Sequence, residues 1–382
     1  MSERFDIACL RAALALARRG TGTTSPNPMV GSVIARGNRI VARGWHRAAG
    51  QPHAEIEALR DAEKRGINTR GATLYVTLEP CCTFGRTPPC TDAISRAGFG
   101  RVVVGATDPN PRHAGRAFEI LRQAGIQLDH GILSAACAEL NQAFNHWIVH
   151  RTPLVTVKAA MTLDGKIATT SGQSKWITGE RARDHAMKLR RASDAILVGI
   201  NTVLLDDPSL TVRRADGRPV PGPPRLRRII LDSQARTPLH AKVVSDELRH
   251  LTTIVVSETA PKKRVAALAK RVTVLAAPKE DAAPGEEPGL NLRWLLERLG
   301  AENATSLLVE GGGETNASFL FQGLAQRVAF YYAPKILGGR DARRSVAGFG
   351  AQSLADILNL DQIRWRRLGP DLLLEAAVLP PG

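Results

Sequence analysis

The first 150 residues alternate between two patterns of apolar positions. Between residues 5 and 18 the apolar side chains recur at helical spacing, and this predicted helix ends at Gly20 and Gly22. Short runs rich in β-branched residues predict buried strands over 32–35, 39–42, 72–78 and 101–106. Further helices are predicted to begin near His53 and Cys90 and to span 115–123 and 134–149. This alternation is typical of an α/β fold with helices on both faces of a sheet.

The second half of the chain continues the alternation beyond Pro153, which restricts the backbone just after a predicted helix. A helix is predicted over 180–191, and strands are predicted over 154–160, 195–200, 228–233, 253–256, 306–309, 328–332 and 372–376. The segment 276–288 is rich in Pro, Glu and Ala, which predicts a flexible surface connection. We therefore expect two domains, 1–150 and 151–382.

The composition excludes several classes of protein. Hydrophobic residues make up 43% and charged residues 23%, as in ordinary globular domains. No apolar run reaches the roughly 18 residues of a membrane span. The N-terminus lacks the basic-then-apolar order of a signal peptide. The 5 cysteines, an odd number, argue against a disulfide framework and for the reducing cytoplasm.

The net charge of +16 is unusual and favours anionic partners, either nucleic acid or phosphorylated small molecules. The basic residues are scattered, mostly as short arginine pairs, and do not form one basic stripe. The 3 tyrosines and 9 phenylalanines offer few platforms on which the bases of a single strand would stack. We therefore favour a soluble, arginine-rich protein that has no nucleic-acid role.

The stretch from His53 to Cys90 has the composition of a catalytic zinc site. His53, Cys81 and Cys90 offer three protein ligands, whereas structural zinc sites usually have four. Water in the fourth position of such a site has its pKa lowered from about 15.7 to roughly 7. Glu55 follows the histidine by two residues and is placed to move a proton from that water to a leaving amine. Zinc deaminases share this pattern, except that eight residues here separate the two cysteines instead of two.

Two other interpretations of these cysteines remain open at the level of the sequence. A structural zinc knuckle would need a fourth ligand, which Cys82 would supply only through strained coordination by adjacent residues. The doublet of Cys81 and Cys82 is also compatible with a redox pair. The three-ligand pattern with a free carboxylate at Glu55 favours catalysis.

Two polar segments adjoin predicted strands. Asn27 lies between two prolines before the strand over 32–35, where it either binds the polar edge of a ligand or forms an ordinary turn. Glu310 comes directly after the strand over 306–309 and is followed by three glycines and a predicted helix. The N–H groups of such a turn can bind phosphate, and a tight strand-to-helix turn is the alternative.

The N-terminal motifs resemble the cytidine deaminase superfamily. The resemblance rests on His53-Ala54-Glu55, on Pro80-Cys81 and on Pro89-Cys90. The longer run 85–90, together with 26–28 and 108–111, is similar to one branch, the bifunctional deaminase–reductases of riboflavin biosynthesis. It implies that His53, Cys81 and Cys90 bind one zinc ion and that Glu55 is the proton shuttle. It further implies a substrate pocket formed by Asn27, His46, Asn110 and Arg86, with Arg86 near the substrate phosphate. Cys82 departs from the serine of many relatives.

The second half resembles the reductase domain of the same family, which is similar in fold to dihydrofolate reductase. The matching segments are 158–160, 163–165, 176–178, 206–208, 210–213 and 309–312. The resemblance implies that NADPH contacts Ala160, Trp176, Thr202, Asp206, Ser233 and the turn Gly312, Gly313, Glu314, Thr315, Asn316, Ala317 and Ser318. It implies that substrate contacts Ser174, Arg190, Leu210, Arg213 and Glu310. Arg190 and Arg213 suit phosphate, because a guanidinium group binds it through two parallel hydrogen bonds.

The resulting hypothesis is a two-domain enzyme with two reactions. The N-terminal α/β/α zinc deaminase domain, with a mixed sheet, is expected to deaminate 2,5-diamino-6-(5-phosphoribosylamino)pyrimidin-4(3H)-one. The C-terminal domain, an α/β fold similar to dihydrofolate reductase, is expected to reduce the ribosyl group of the product to ribityl with NADPH. We expect a cytoplasmic homo-oligomer that does not contact a membrane. A nucleic-acid or nucleotide editing deaminase with a fused binding domain is the main alternative, and a zinc-stabilised structural protein is the third.

Overall fold

A computed structural model describes residues 2–84, 88–111, 113–213, 218, 220, 225–279 and 289–379. The chain forms two compact units, Met1–Arg151 and Thr152–Gly382. No helix within the described residues is both long enough and apolar enough to span a membrane. Arg86 and most of the predicted connection over 276–288 lie outside the described residues.

The first unit contains one mixed sheet. Its strands are β1 (Gly31–Arg36), β2 (Arg39–Trp45), β3 (Thr73–Leu78), β4 (Arg101–Ala106) and β5 (Gln127–His130). Its helices are α1 (Glu3–Ala17), α2 (Ala54–Lys64), α3 (Cys90–Arg96), α4 (Arg116–Gln123), α5 (Ser134–Leu140) and α6 (Gln142–His150), with a 3-10 turn over Arg18–Gly20. The described strands are ordered β2-β1-β3-β4-β5. β1 is antiparallel to both of its neighbours, and β3, β4 and β5 are parallel.

Helices cover both faces of this sheet because successive residues of a strand point to opposite sides. Leu74 and Val76 of β3 pack with α2, α3 and α4. Tyr75, between them, packs on the other face with α1. The predicted α/β/α arrangement with a mixed sheet is confirmed.

The predicted single helix over 134–149 is wrong, because Asn141 interrupts it. Asn141 has a φ of −110° and is 3% exposed. Its side-chain oxygen accepts a hydrogen bond from the backbone nitrogen of Met29 at 2.8 Å, and its amide donates to the Met29 carbonyl at 3.0 Å. The break thus fixes the loop that follows Asn27, a predicted pocket residue.

The second unit is built on a larger sheet. Its strands are β6 (Leu154–Thr162), β7 (Lys166–Ala168), β8 (Ala195–Gly199), β9 (Arg227–Leu231), β10 (Thr252–Ser257), β11 (Thr273–Ala277), β12 (Ser306–Val309), β13 (Arg327–Ala333), β14 (Arg343–Arg344), β15 (Leu360–Leu368) and β16 (Asp371–Val378). Its helices are α7 (Glu180–Ala192), α8 (Ile200–Asp206), α9 (Lys242–Ser245), α10 (Lys262–Ala269), α11 (Leu292–Ala301) and α12 (Gly313–Phe321), with 3-10 turns over Arg249–Leu251 and Leu354–Asp356.

Among the described residues the main sheet has the order β11-β10-β9-β8-β12-β6-β13-β16-β15. The strands from β11 to β13 in this order are parallel, and β16 and β15 continue the sheet antiparallel. α11 and α12 pack on one face, whereas α8, α9 and α10 pack on the other. The carboxyl ends of the parallel strands therefore meet at one edge, where open α/β sheets bind their ligands.

Several boundaries in this unit differ from the sequence-based predictions, and the strand predicted over 228–233 ends at Leu231. Ile200, predicted to end a strand, is the first residue of α8, because the chain turns into a helix directly after Gly199. Ala276, predicted to begin a flexible connection, lies in β11 and pairs with Val256 of β10. Short elements next to a polar segment carry too few apolar positions for their period to be recognised.

Candidate functional site

Three side chains converge beside the sheet of the first unit. His53 precedes the first residue of α2, Cys81 follows the end of β3 by three residues, and Cys90 is the first residue of α3. Their ligand atoms lie within 4.8 Å of one another. Cys81 and Cys90 are therefore close in space although eight residues separate them, so the longer spacing does not prevent a shared site.

The separations of these atoms fit a tetrahedral zinc ion. The Nδ1 atom of His53 lies 3.4 Å from Sγ of Cys81 and 3.3 Å from Sγ of Cys90. Zinc bonds of about 2.3 Å to sulfur and about 2.0 Å to nitrogen place tetrahedral S and N ligands roughly 3.5 Å apart. The Cys90 thiol and His53 both lower the pKa of Cys81, which favours the thiolate that a metal requires. The residues present can thus hold zinc.

Glu55 lies beside this cluster and is 3% exposed. Burial raises the pKa of Glu55 to about 7, and the neighbouring Cys81 adds to this effect. Its Oε2 atom has no hydrogen-bond partner among the described residues. A buried carboxyl oxygen rarely remains unpaired, so this atom is suited to a ligand or a water at the centre.

Cys82 does not join the three-residue cluster of the described residues. Its Sγ atom instead lies 3.5 Å from Nδ1 of His113. The surroundings of Cys82 therefore do not support the alternative of a structural site with four protein ligands.

Asn27 and His46 form a hydrogen-bonded pair at the edge of the first unit's cluster. The Pro52 carbonyl, 3.0 Å from Nδ1 of His46, can only accept, so Nδ1 carries the proton. The Nε2 atom of His46 therefore accepts from the amide of Asn27 at 3.1 Å. Burial lowers the pKa of His46, which keeps the ring neutral. Because the amide nitrogen of Asn27 makes this hydrogen bond, its side-chain oxygen is available to accept one from a ligand.

Asn110 lies in the loop after β4, and its backbone nitrogen donates to Asp108 at 2.9 Å. The loop is anchored by Glu79, which the sequence analysis did not single out. The Glu79 carboxylate accepts from the backbone nitrogens of Asp108 at 3.1 Å, Gly115 at 2.9 Å and Ala117 at 3.1 Å. Glu79 precedes Cys81 by two residues, so the same segment carries a metal ligand and fixes the Asn110 loop. Arg86 lies outside the described residues.

In the second unit, Glu310 occupies the carboxyl end of β12 and is bound by two basic side chains. Arg190 donates to its two oxygens at 2.8 Å and 3.0 Å, and Lys158 donates at 3.3 Å. Burial would raise the pKa of Glu310, but Arg190 and Lys158 lower it to about 2. Lys158 was not predicted as a site residue, since one lysine in a strand gives no periodic signal.

The other predicted substrate residues have contrasting surroundings. Arg213 is exposed and has no recorded partner among the described residues. Leu210 is 3% exposed and packs in the core between the sheet and α8, so it can contact a ligand only through its backbone. Ser174 donates to Asp206 at 3.1 Å, which joins a predicted substrate residue to a predicted cofactor residue.

The turn between β12 and α12 can accommodate a dinucleotide. A Cβ atom added to Gly312 would meet nothing within 4 Å, so open space adjoins the backbone at the start of α12. At Gly313 a Cβ would approach the Arg344 carbonyl to 2.5 Å, so this glycine is required for packing. Asn316 and Ala317 face the interior at 0% and 4% exposure. The first turn of α12 therefore offers the surface for cofactor phosphates, next to exposed Glu314 and half-buried Thr315 and Ser318.

The remaining predicted cofactor residues belong to other elements of the second unit. Ala160 lies in β6, Thr202 and Asp206 lie in α8, and Ser233 follows β9. Trp176 is 66% exposed, and the Arg183 guanidinium lies 4.8 Å from its ring centre. Such an exposed indole is suited to stacking against a planar ligand.

Comparisons with known proteins agree with both halves of this description. Residues 3–106 match the cytidine and deoxycytidylate deaminase zinc-binding region, and residues 153–374 match the RibD C-terminal domain. Riboflavin biosynthesis protein RibD of Aquifex aeolicus is 43% identical over 374 residues, which cover 98% of this chain and 99% of that protein. The Escherichia coli protein of the same name is 40% identical over 95% of this chain and 96% of its own length.

Solved structures give the same result over the whole chain. The structure of Acinetobacter baumannii RibD matches with a TM-score of 0.84 and 35% identity, covering 99% of this chain and 100% of that one. A diaminohydroxyphosphoribosylaminopyrimidine deaminase/5-amino-6-(5-phosphoribosylamino)uracil reductase from Thermotoga maritima matches with a TM-score of 0.83 and 33% identity, covering 99% of both chains. Together with the cluster of His53, Cys81 and Cys90, these matches show that the chain belongs to the RibD family of bifunctional, zinc- and NADPH-dependent deaminase–reductases of riboflavin biosynthesis.

Proposed function

We propose that residues 1–150 deaminate 2,5-diamino-6-(5-phosphoribosylamino)pyrimidin-4(3H)-one and that residues 151–382 reduce the ribosyl group of 5-amino-6-(5-phosphoribosylamino)uracil. The observation that carries the deaminase assignment is the unpaired, buried Oε2 atom of Glu55 beside a cluster of three ligands. A structural zinc site would not need this carboxyl group. The proposed substrates are those for which the Thermotoga maritima relative is named.

In the first unit, His53, Cys81 and Cys90 would hold zinc, which when bound would supply an activated water beside the amino-bearing carbon of the substrate. Glu55 accepts the proton of that water and returns it to the leaving amine. A pKa of about 7 suits both transfers, because a group that titrates near neutral pH can accept and donate. Asn27 and Asn110 orient the pyrimidine edge, and neutral His46 fixes the Asn27 amide. Arg86 binds the 5′-phosphate.

In the second unit, the turn between β12 and α12 would hold NADPH, which when bound would supply the hydride for reduction of the ribosyl group. Arg190 and Lys158 keep Glu310 ionised at the carboxyl edge of the sheet, where its carboxylate accepts hydrogen bonds from substrate hydroxyls. Arg190 donates two hydrogen bonds to Glu310 and one to the Thr211 carbonyl at 3.1 Å. It therefore positions Glu310, in addition to its predicted contact with substrate. Exposed Arg213 is left as the main phosphate ligand.

The partners and location follow the same reasoning. We infer phosphorylated pyrimidines as the ligands and no binding of nucleic acid, because the basic residues are scattered along the chain and few aromatic side chains are available for stacking on bases. A homo-oligomer in the cytoplasm is part of this proposal. Sedimentation and a gel-shift titration with single-stranded RNA would test the oligomer and the editing alternative.

The Glu55→Gln variant tests the division of roles at the metal centre. Glutamine has the same shape but cannot carry the proton, so deamination should fall by about 10²–10⁴-fold while zinc content stays unchanged. Ammonia release and bound zinc would be measured on the purified full chain with the diaminopyrimidine substrate.

Glu57→Gln is the matched control, because Glu57 lies two residues further along the same helix but pairs with Arg47 and Arg60 outside the cluster. It should retain both zinc and activity. Zinc-free Glu55→Gln protein would contradict the role of proton shuttle, and full deaminase activity in that variant would contradict the reaction itself.

A further inference from the structure

The turn after β9 lies at the edge of the sheet that carries the cofactor residues. β9 and β8 are parallel neighbours, as are β8 and β12, so their carboxyl ends share one edge. The glycine turn follows β12, α8 follows β8, and the turn from Asp232 to Arg236 follows β9. A dinucleotide bound across such an edge places its pyrophosphate at a helix N-terminus and its adenosine ribose beside a neighbouring strand end.

Asp232 is the acidic residue that follows β9, but both oxygens of its carboxylate accept hydrogen bonds from the next turn. In NAD-dependent enzymes of related architecture, an acidic side chain near a strand end accepts a hydrogen bond from the ribose 2′-hydroxyl. Asp232 is 0% exposed. One oxygen accepts from the backbone nitrogen of Arg236 at 2.8 Å, and the other accepts from the backbone nitrogen and the hydroxyl of Thr237, each at 2.7 Å. This carboxylate therefore cannot select the unphosphorylated ribose of NADH.

The same hydrogen bonds present Arg236 as an exposed cation. Its backbone is fixed by Asp232, and Ala235 before it has a φ of +53°, which defines a tight turn. The guanidinium donates one hydrogen bond, to the side-chain oxygen of Asn201 at 3.2 Å. Within the described part of the chain no carboxylate pairs with Arg236. Asn201 precedes the predicted cofactor residue Thr202, so the cation is held between two segments assigned to the cofactor.

We propose that Arg236 selects NADPH over NADH by binding the 2′-phosphate of the adenosine ribose. A guanidinium group matches phosphate through two parallel hydrogen bonds, and an arginine near the strand end is one means of accommodating this group. Asn201 limits the orientations that the guanidinium can adopt. The proposal rests on the proposed function, because it takes the strand edge of the second unit as the cofactor site.

Binding of two small probes to the full chain without substrate tests the assignment. Adenosine 2′,5′-bisphosphate carries the selected phosphate, whereas adenosine 5′-monophosphate lacks it. In Arg236→Ala the Kd of the bisphosphate should rise by about 10–100-fold, the cost of one charge-assisted contact, while the Kd of the monophosphate stays within about twofold. Arg236→Lys keeps the positive charge but loses the planar guanidinium group. Its Kd for the bisphosphate should therefore lie between those of the wild type and Arg236→Ala. Calorimetry measures the Kd of both probes for the wild type and for each variant, and unchanged monophosphate binding shows that the site is folded.

Arg249→Ala is the matched control, because Arg249 is also an exposed arginine but precedes β10 at the opposite edge of the sheet. It should leave both constants at the wild-type values. The inference is overturned if Arg236→Ala keeps the wild-type ratio of the two constants, or if wild-type protein does not distinguish the probes.

The outcome can be separated from that of the proposed function by an assay of NADPH oxidation with the phosphoribosylaminouracil. Wild-type protein that oxidises NADPH but shows no dependence of the ratio on Arg236 contradicts the inference alone. Protein with Arg236-dependent binding of the bisphosphate but no oxidation of NADPH supports the inference and contradicts the proposed substrate.

Discussion

The two adjacent cysteines after β3 differ in what their sulfur atoms contact. Sγ of Cys81 lies 3.4 Å from His53 and accepts from the backbone nitrogen of Cys90 at 3.3 Å. Sγ of Cys82 lies 3.5 Å from His113, outside that cluster. The two adjacent thiols thus differ in that Cys81 belongs to the candidate metal cluster and Cys82 does not.

Serine substitutions at these two positions should therefore have opposite effects. Cys81→Ser replaces a thiolate ligand by a poor one and should weaken zinc binding by at least about 10–100-fold, with a lower melting temperature because metal binding stabilises the fold. Cys82→Ser should retain zinc, melting temperature and deaminase activity. Zinc content during titration with a chelator measures the first effect. Loss of zinc from Cys82→Ser would show that the doublet acts as a unit.

At the scale of elements, the sequence predicts best what is both long and periodic. β3, β4 and the helix α7 were predicted close to their observed bounds, because each has several buried positions at one spacing. β5 and β15 were not predicted. All nine residues of β15 are exposed or half-buried, and a register shift between Asp361 and Arg364 interrupts the two-residue alternation that marks a strand against a core. Pairing with β16 determines this edge strand, and no local pattern reports that pairing.

α6 contains a histidine that should make the stability of the protein depend on pH. Burial, together with nearby His150, lowers the pKa of His146 from 6.5 to about 4. The unfolded chain thus binds a proton at this side chain below about pH 6.5, whereas the folded chain does so only near pH 4. The contribution of His146 to stability is complete above pH 6.5 and is lost as the pH falls towards 4.

His146→Phe should remove this dependence, because phenylalanine cannot bind a proton in the unfolded chain. Urea unfolding of the variant and the wild type would be compared at several pH values from 4 to 8. The free energy of unfolding of the wild type should fall more steeply than that of the variant between pH 6.5 and 4, with parallel curves above pH 7. Parallel curves over the whole range would contradict a neutral, buried His146.

Across both units, the predicted site residues at the ends of elements could be picked out from the sequence, but the residues that support them could not. His53, Cys81, Cys90 and Glu310 stand at the ends of elements, where strand and helix patterns point to them. Lys158 and Glu79 act through distant partners, with Lys158 separated from Glu310 by 152 residues. Residues so far apart in the sequence come into contact only in the folded chain, and the pattern of a single sequence does not indicate which of them will do so.

Two compact units, each with its own cluster, lead us to expect that the two reactions are separable within the full chain. Gly312→Val is the sharpest test. Gly312 has a φ of −74°, which valine can adopt, and its Cβ would enter open space, so the fold should be preserved. The added methyl groups occupy the surface offered to the cofactor phosphates. The Kd of NADP⁺ should rise by at least about tenfold, because extra methyl groups in a closely packed contact force the two partners apart. Ammonia release should stay at the wild-type rate.

Gly312→Ala, with one methyl group instead of three side-chain carbons, should weaken NADP⁺ binding less than Gly312→Val. The converse variant, Glu55→Gln, should still oxidise NADPH when supplied with the deaminated substrate. Fluorescence titration with NADP⁺ and an ammonia assay on the same preparations compare the two sites directly. Equal loss of both activities in Gly312→Val, with the melting temperature unchanged, would mean that the cofactor turn of the second unit controls deamination in the first, and the independence of the two reactions would be wrong.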